Sequence, residues 1–158
     1  MLQAVYFDMD DTLYGLTKLP DWLPRLRAND ARVYRDGKPC HDMRKIAKMV
    51  NNLQKQGVHT GVISWLSKLY DAKLYKESRI EKRRFLQKHL PSVVWDEIHI
   101  TRYGRHKSYV AKYPRGLLVD DNPDIRAHWE QCGGITLDPT IFTTDELVDR
   151  IYALVALG

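Results

Sequence analysis

Four short groups of residues carry side chains able to do chemistry together. Asp8, Asp10 and Asp11 set three carboxylates within four residues, with the Thr12 hydroxyl next to them. Ser64 stands alone after an apolar run, and Lys107 closes a basic loop that also holds Arg102, Arg105 and His106. Asp120 and Asp121 follow another apolar run, with Asp124 close behind. Carboxylates brought together repel unless something positive sits among them. Oxygen ligands favour a hard cation, and Mg²⁺ takes one or two carboxylates together with substrate phosphate and water. The six histidines (41, 59, 89, 99, 106 and 128) show no ligand spacing, and His106 is the one among them worth a test.

These groups become one site only if the fold collects them. Leu2 to Phe7 is a short apolar run that ends in acids, the pattern of a buried strand. Apolar residues at helical spacing predict a helix over Asp42 to Gln56, closed by Gly57. Val58 to Ile63 reads as a second strand, Ser67 to His89 as a long charged helix, and Val93 to Ile100 as a third strand. Lys107 to Tyr113 is a short helix, Gly116 to Val119 a fourth strand, and Asp124 to Gln131 a helix. Gly134 to Leu137 is a fifth strand, and Thr144 to Leu157 a final amphipathic helix. Strand and helix alternate throughout, which calls for a five-stranded parallel sheet with helices on both faces, a single Rossmann-like α/β domain. In such sheets ligands bind at the carboxyl ends of the strands, where each of the four groups falls.

Length and composition agree with one globular domain over residues 1–158, with 28% charged and 44% hydrophobic residues. No apolar run is long enough for a membrane span, and the acids straight after the first apolar run do not read as a signal peptide. Cys40 and Cys132 offer neither a disulfide framework nor metal-ligand spacing, so a cytoplasmic setting is expected. The net charge of +5 is uneven. Lys68 to Lys88 holds eight Lys or Arg against Asp71, Glu77 and Glu81, whereas Leu117 to Gly158 holds eight acids against Arg126 and Arg150. The basic stretch reads either as a solvated helix face or as an attraction for a phosphate-bearing partner.

The four groups, in their order, resemble the motifs of the haloacid dehalogenase superfamily. Asp8-Met9-Asp10-Asp11-Thr12-Leu13 is similar to its first motif, Ser64 to its second, Lys107 to its third and Asp120-Asp121 to its fourth, together spanning most of the chain. The resemblance implies a nucleophilic Asp8 that forms an aspartyl-phosphate, and an Asp10 that serves as acid and then base. It assigns Thr12, Ser64 and Lys107 to the substrate phosphate, Thr12 by orienting the Asp10 loop. It implies Mg²⁺ held by Asp8, the carbonyl of Asp10, and Asp121, with Asp120 or Asp124 sharing the role. Asp11 stands where the family often has Gly. Ser64 also reads as a helix N-cap, Lys112 competes with Lys107, and Trp22 and Tyr34 either stack on a base or pack.

The segment at about 13–40 is too short for more than a minimal cap, so an open site is expected. An open site suits a large substrate that supplies its own lid, or a small one covered by a homo-oligomer. The implied activity is a Mg²⁺-dependent phosphatase acting on a nucleotide or nucleic-acid end, with some likeness to the deoxyribonucleotidases of the superfamily. The other readings are a phosphatase of phosphoprotein or sugar phosphate, and a catalytically silent nucleic-acid-binding module of the same fold. No membrane partner is expected.

Overall fold

A computed structural model of the chain describes residues 1–69 and 71–158. Tyr70, which falls in the span predicted to be helical from Ser67, lies outside the described residues. The chain forms β1 (Ala4–Phe7), α1 (Trp22–Arg27), α2 (Val33–Asp36), α3 (Met43–Lys55), β2 (His59–Trp65), α4 (Ala72–His89) and β3 (Glu97–Thr101). It continues with α5 (Lys107–Val110), β4 (Leu117–Val119), α6 (Pro123–Gln131), β5 (Ile135–Leu137), a 3₁₀ turn at Pro139–Ile141 and α7 (Thr144–Leu157). All strand pairs are parallel, in the order β3-β2-β1-β4-β5. The fold is the expected α/β domain. Among the described residues no helix is long and apolar enough to cross a membrane.

Alternation along the strands divides the core in two. Val5, Phe7, Val62, Leu117 and Val119 face α3, α4 and α7, whereas Ala4, Tyr6, Ile63 and Leu118 face α5 and α6, where Trp129 fills the centre. Both faces of β1 are therefore buried, which is why Ala4–Phe7 is apolar at every position. The flanking helices are set by local signals. Asp42 caps α3 by accepting from Arg44 N and Lys45 N, and Ile46, Val50 and Leu53 supply its buried stripe. Gly57, at φ +83°, turns the chain from α3 into β2. Thr143 and Glu146 close a reciprocal capping box on α7, and Asn122 caps α6 ahead of Pro123.

Several elements differ from the expected boundaries; among them, the first strand is Ala4–Phe7 and not Leu2–Phe7, and the short helix from Lys107 stops at Val110 and not at Tyr113. The helix expected from Ser67 begins at Ala72, because Asp71 is its cap and accepts from Leu74 N. The third strand is Glu97–Thr101 and not Val93–Ile100. Val93 and Trp95 pack against the core, but Val94 O accepts from Gln54 Nε2 of α3 and not from a neighbouring strand. The second strand runs through Ser64 to Trp65, so Ser64 lies inside a strand and caps no helix.

The segment between β1 and α3 forms α1 and α2 over the carboxyl end of the sheet. It is fastened by ion pairs: Arg25 to Asp30 and Asp36 within the insert, and Arg35 to Glu81 of α4 through two hydrogen bonds of 3.1 and 2.6 Å. Tyr14 anchors it from below, donating to Val33 O.

Candidate active site

The strand order fixes where the site lies. From β1 the chain builds outward to β2 and β3, then crosses to the other side of β1 for β4 and β5, so the order reverses between β1 and β4. A crevice opens outside the carboxyl ends at such a reversal. The register pairs Phe7 with Val119, and the next residues, Asp8 and Asp120, leave the sheet side by side. Asp8 N donates to Val119 O at 2.9 Å and Asp120 N to Leu137 O at 3.1 Å, which holds both backbones in the ladder.

Beyond Asp8 the chain turns sharply. The N–H groups of Thr12, Leu13 and Tyr14 all converge on Met9 O at 2.9 to 3.1 Å. Such a turn needs one left-handed residue, and Asp11 takes it at φ +59°. Asp tolerates that conformation better than most side chains, and its carboxylate accepts from Thr17 N at 3.0 Å. The position suits the Gly usual in the resembled family for this reason. Asp10 lines the cleft, and Thr12, which is buried, donates to Asp8 Oδ2 at 3.4 Å. The hydroxyl thus orients Asp8 and not the Asp10 side chain.

Lys107 opens α5 and sends a wholly buried side chain between the two strand ends. Its Nζ donates to Asp8 Oδ1 and to Asp120 Oδ2, each at 2.7 Å. Burial works against the ammonium charge, but Asp120 and Asp8 outweigh it and hold the amine protonated. Lys112 is elsewhere, its Nζ over the Tyr113 ring. Carboxylate oxygens of Asp8, Asp120 and Asp121 lie within 4.8 Å of one another. Burial, and next the Asp8 charge, raise the carboxyls of Asp120 and Asp121 above the usual carboxylate range. Asp124 stays outside this cluster, exposed in the first turn of α6. One lysine for three carboxylates leaves negative charge uncompensated. An all-oxygen set with that surplus fits a hard divalent cation.

Ser64 is fully buried at the end of β2, and its Oγ accepts from Lys82 Nζ at 2.8 Å, which leaves its own proton free to donate. Lys82 also donates to Asp10 Oδ2 at 3.0 Å and to Trp65 O at 2.8 Å, with its Nζ 4.6 Å from the centre of the Tyr34 ring. Burial raises the Asp10 carboxyl, Lys82 pulls it down, and Asp8 adds to the rise. Lys82 is the site residue that sequence reasoning missed. The signal was present: Leu74, Ser78, Lys82, Phe85 and Leu86 share one buried stripe of α4.

Above these groups lies an open cleft of about 480 Å³, with Trp22, Leu26 and Tyr34 of the insert on one wall and Trp65, Lys68 and Tyr103 on the other. Tyr34 is buried against Tyr14, so it packs, while the half-buried Trp22 faces the cleft. A smaller hollow of about 230 Å³ adjoins it past Lys107, lined by His106, His128 and Asp124. His106 stacks on His128 at 3.6 Å between ring centres. Comparison with known protein families and with curated proteins yields no match for the chain. The likeness to the haloacid dehalogenase superfamily therefore rests on the sequence motifs alone.

Proposed function

We propose that the protein is a divalent-cation-dependent phosphatase of haloacid dehalogenase type, which hydrolyses a phosphomonoester through an aspartyl-phosphate on Asp8. The observation that carries this reading is Lys107, bridging Asp8 and Asp120 at 2.7 Å each in the crevice where the strand order reverses. A cation, Mg²⁺ by the all-oxygen chemistry of Asp8, Asp120 and Asp121, would offset the charge of a nucleophile and a phosphate that are both anionic.

In the first step a carboxylate oxygen of Asp8 bonds to phosphorus as the bond to the leaving oxygen breaks. Asp10, two residues on and lining the same cleft, gives its proton to that oxygen. In the second step Asp10 takes a proton from water, the water oxygen bonds to phosphorus, and Asp8 is released. Lys107 holds Asp8 in place and neutralises charge through both steps. Ser64 is wholly buried and does not line the cleft, so its hydroxyl bears on the site through Lys82. The cleft is large enough for a nucleotide, and Trp22, Trp65 and Tyr103 offer planar surfaces to a base, which favours a nucleotide or nucleic-acid end as substrate.

Phosphate release with Mg²⁺ and with EDTA tests the proposal. The panel holds nucleoside 5′- and 3′-monophosphates, sugar phosphates, phosphopeptides and phosphorylated oligonucleotides. Metal-dependent release that disappears in Asp8→Asn is expected; silence across the panel, with salt-sensitive oligonucleotide binding, would support the binding-module reading instead.

A further inference from the structure

We propose that Lys82 is a positioning residue for Asp10, an inference that rests on the phosphatase reading of the site. A lysine ammonium has three protons, and the three acceptors Asp10 Oδ2, Ser64 Oγ and Trp65 O take them all at 2.8 to 3.0 Å. Nothing remains for a substrate, so Lys82 acts through its partners. It fixes one oxygen of Asp10 and leaves the other, Oδ1, buried and without a hydrogen-bond partner among the described residues. Held through Oδ2, the Asp10 carboxyl keeps its place on the wall of the cleft that it lines.

The placement costs more than packing alone requires. Lys82 carries a charge inside a side chain that is wholly shielded from water, and an apolar residue would fill the same stripe of α4 without that desolvation. The Tyr34 ring of the insert covers the amine, and Arg35 of the insert ties itself to α4 at the adjacent Glu81. α4 and the insert therefore both bear on the orientation of one carboxyl group.

The test separates positioning from support of the fold by the leaving group. Proton donation matters for an alkoxide and little for a nitrophenolate, while a structural defect slows both alike. Lys82→Met and the unaltered protein are compared on p-nitrobenzyl phosphate and p-nitrophenyl phosphate with Mg²⁺, reading kcat/KM, which covers the steps through the first displacement. The expected result is a fall of about a hundredfold for the benzyl ester and less than about tenfold for the phenyl ester. Parallel falls for the two esters, or no fall for either, overturn the proposal. If Lys82→Met does not fold, Lys82→Gln, which keeps an uncharged NH₂ donor, is held to the same contrast. An unaltered protein inert towards both esters overturns the phosphatase reading and this proposal with it.

Discussion

Among the described residues Lys107 is the single cation between Asp8 and Asp120, and its value to the fold is the repulsion it prevents. Lys107→Met leaves two buried carboxylates facing each other, so denaturant unfolding is expected to show a loss of about 3–5 kcal/mol. Adding Asp120→Asn to that variant should recover part of the loss, because one of the two unpaired charges goes. Equal stability of the single and double variants would refute the pairing. Asp8→Asn acts in the opposite sense on stability. The Asp8 charge helps to raise the Asp120 and Asp121 carboxyls, so its removal should stabilise the metal-free protein while turnover falls below about a thousandth. Loss of both stability and turnover would mean that Asp8 holds the fold and says nothing of its chemistry. Asp8, Asp10, Ser64, Lys107, Asp120 and Asp121 were legible in the sequence because each lies at the carboxyl end of a strand or at the start of the helix that follows. Lys82 was missed although its helical spacing from Leu74, Ser78 and Phe85 was readable, because the exposed Arg79, Arg83 and Arg84 near it carry the same charge and only the turn of α4 separates it from them.

At the scale of elements, the alternation of strand and helix was legible because each apolar run is short and flanked by polar or glycine-containing turns. The ends of elements were less so. The segment before Glu97 is β-rich in composition yet lies outside the sheet, a matter of pairing partners that no local pattern records. The insert was legible only as irregular text, since its order comes from ion pairs, those of Arg25 within it and that of Arg35 to the distant Glu81. Those pairs make it sensitive to acid. The Arg32 hydrogen bond, with Arg25 adding to it, holds the Asp30 carboxyl down at about 2, and Arg35 holds that of Glu81 below its usual range. A carboxyl depressed in the fold stabilises it above its ordinary pKa, and that contribution is lost as the pH falls through the folded value. Protection factors of the amides in residues 22–36, taken against the intrinsic exchange rate at each pH, should therefore fall between about pH 4 and pH 2 while β1 and β2 stay protected. Simultaneous exposure of insert and sheet would show that the ion pairs do not fasten the insert. Glu81→Ala should produce the same local loosening at neutral pH.

For the whole molecule, the surplus of cations and the site's surplus of carboxylates pull in opposite directions on a divalent cation. The net charge of +5 repels it from the surface in general, while Asp8, Asp120 and Asp121 gather negative charge in one buried place. Any stabilisation by Mg²⁺ therefore reports that place and not a diffuse atmosphere. A ligand that binds only the folded state stabilises it in proportion to the logarithm of its concentration over Kd, about 2.7 kcal/mol at a hundredfold excess over Kd. Thermal unfolding in Mg²⁺, against NaCl at equal ionic strength, should show a rise that saturates on this law. Asp121→Asn should reduce the rise, because it replaces a carboxylate with a neutral amide and leaves the Lys107 bridge between Asp8 and Asp120 intact. A rise that survives Asp121→Asn unchanged would place the cation elsewhere. No rise at all would leave the three carboxylates as a strained cluster held by Lys107 alone, and the phosphatase reading would lose the cation it depends on.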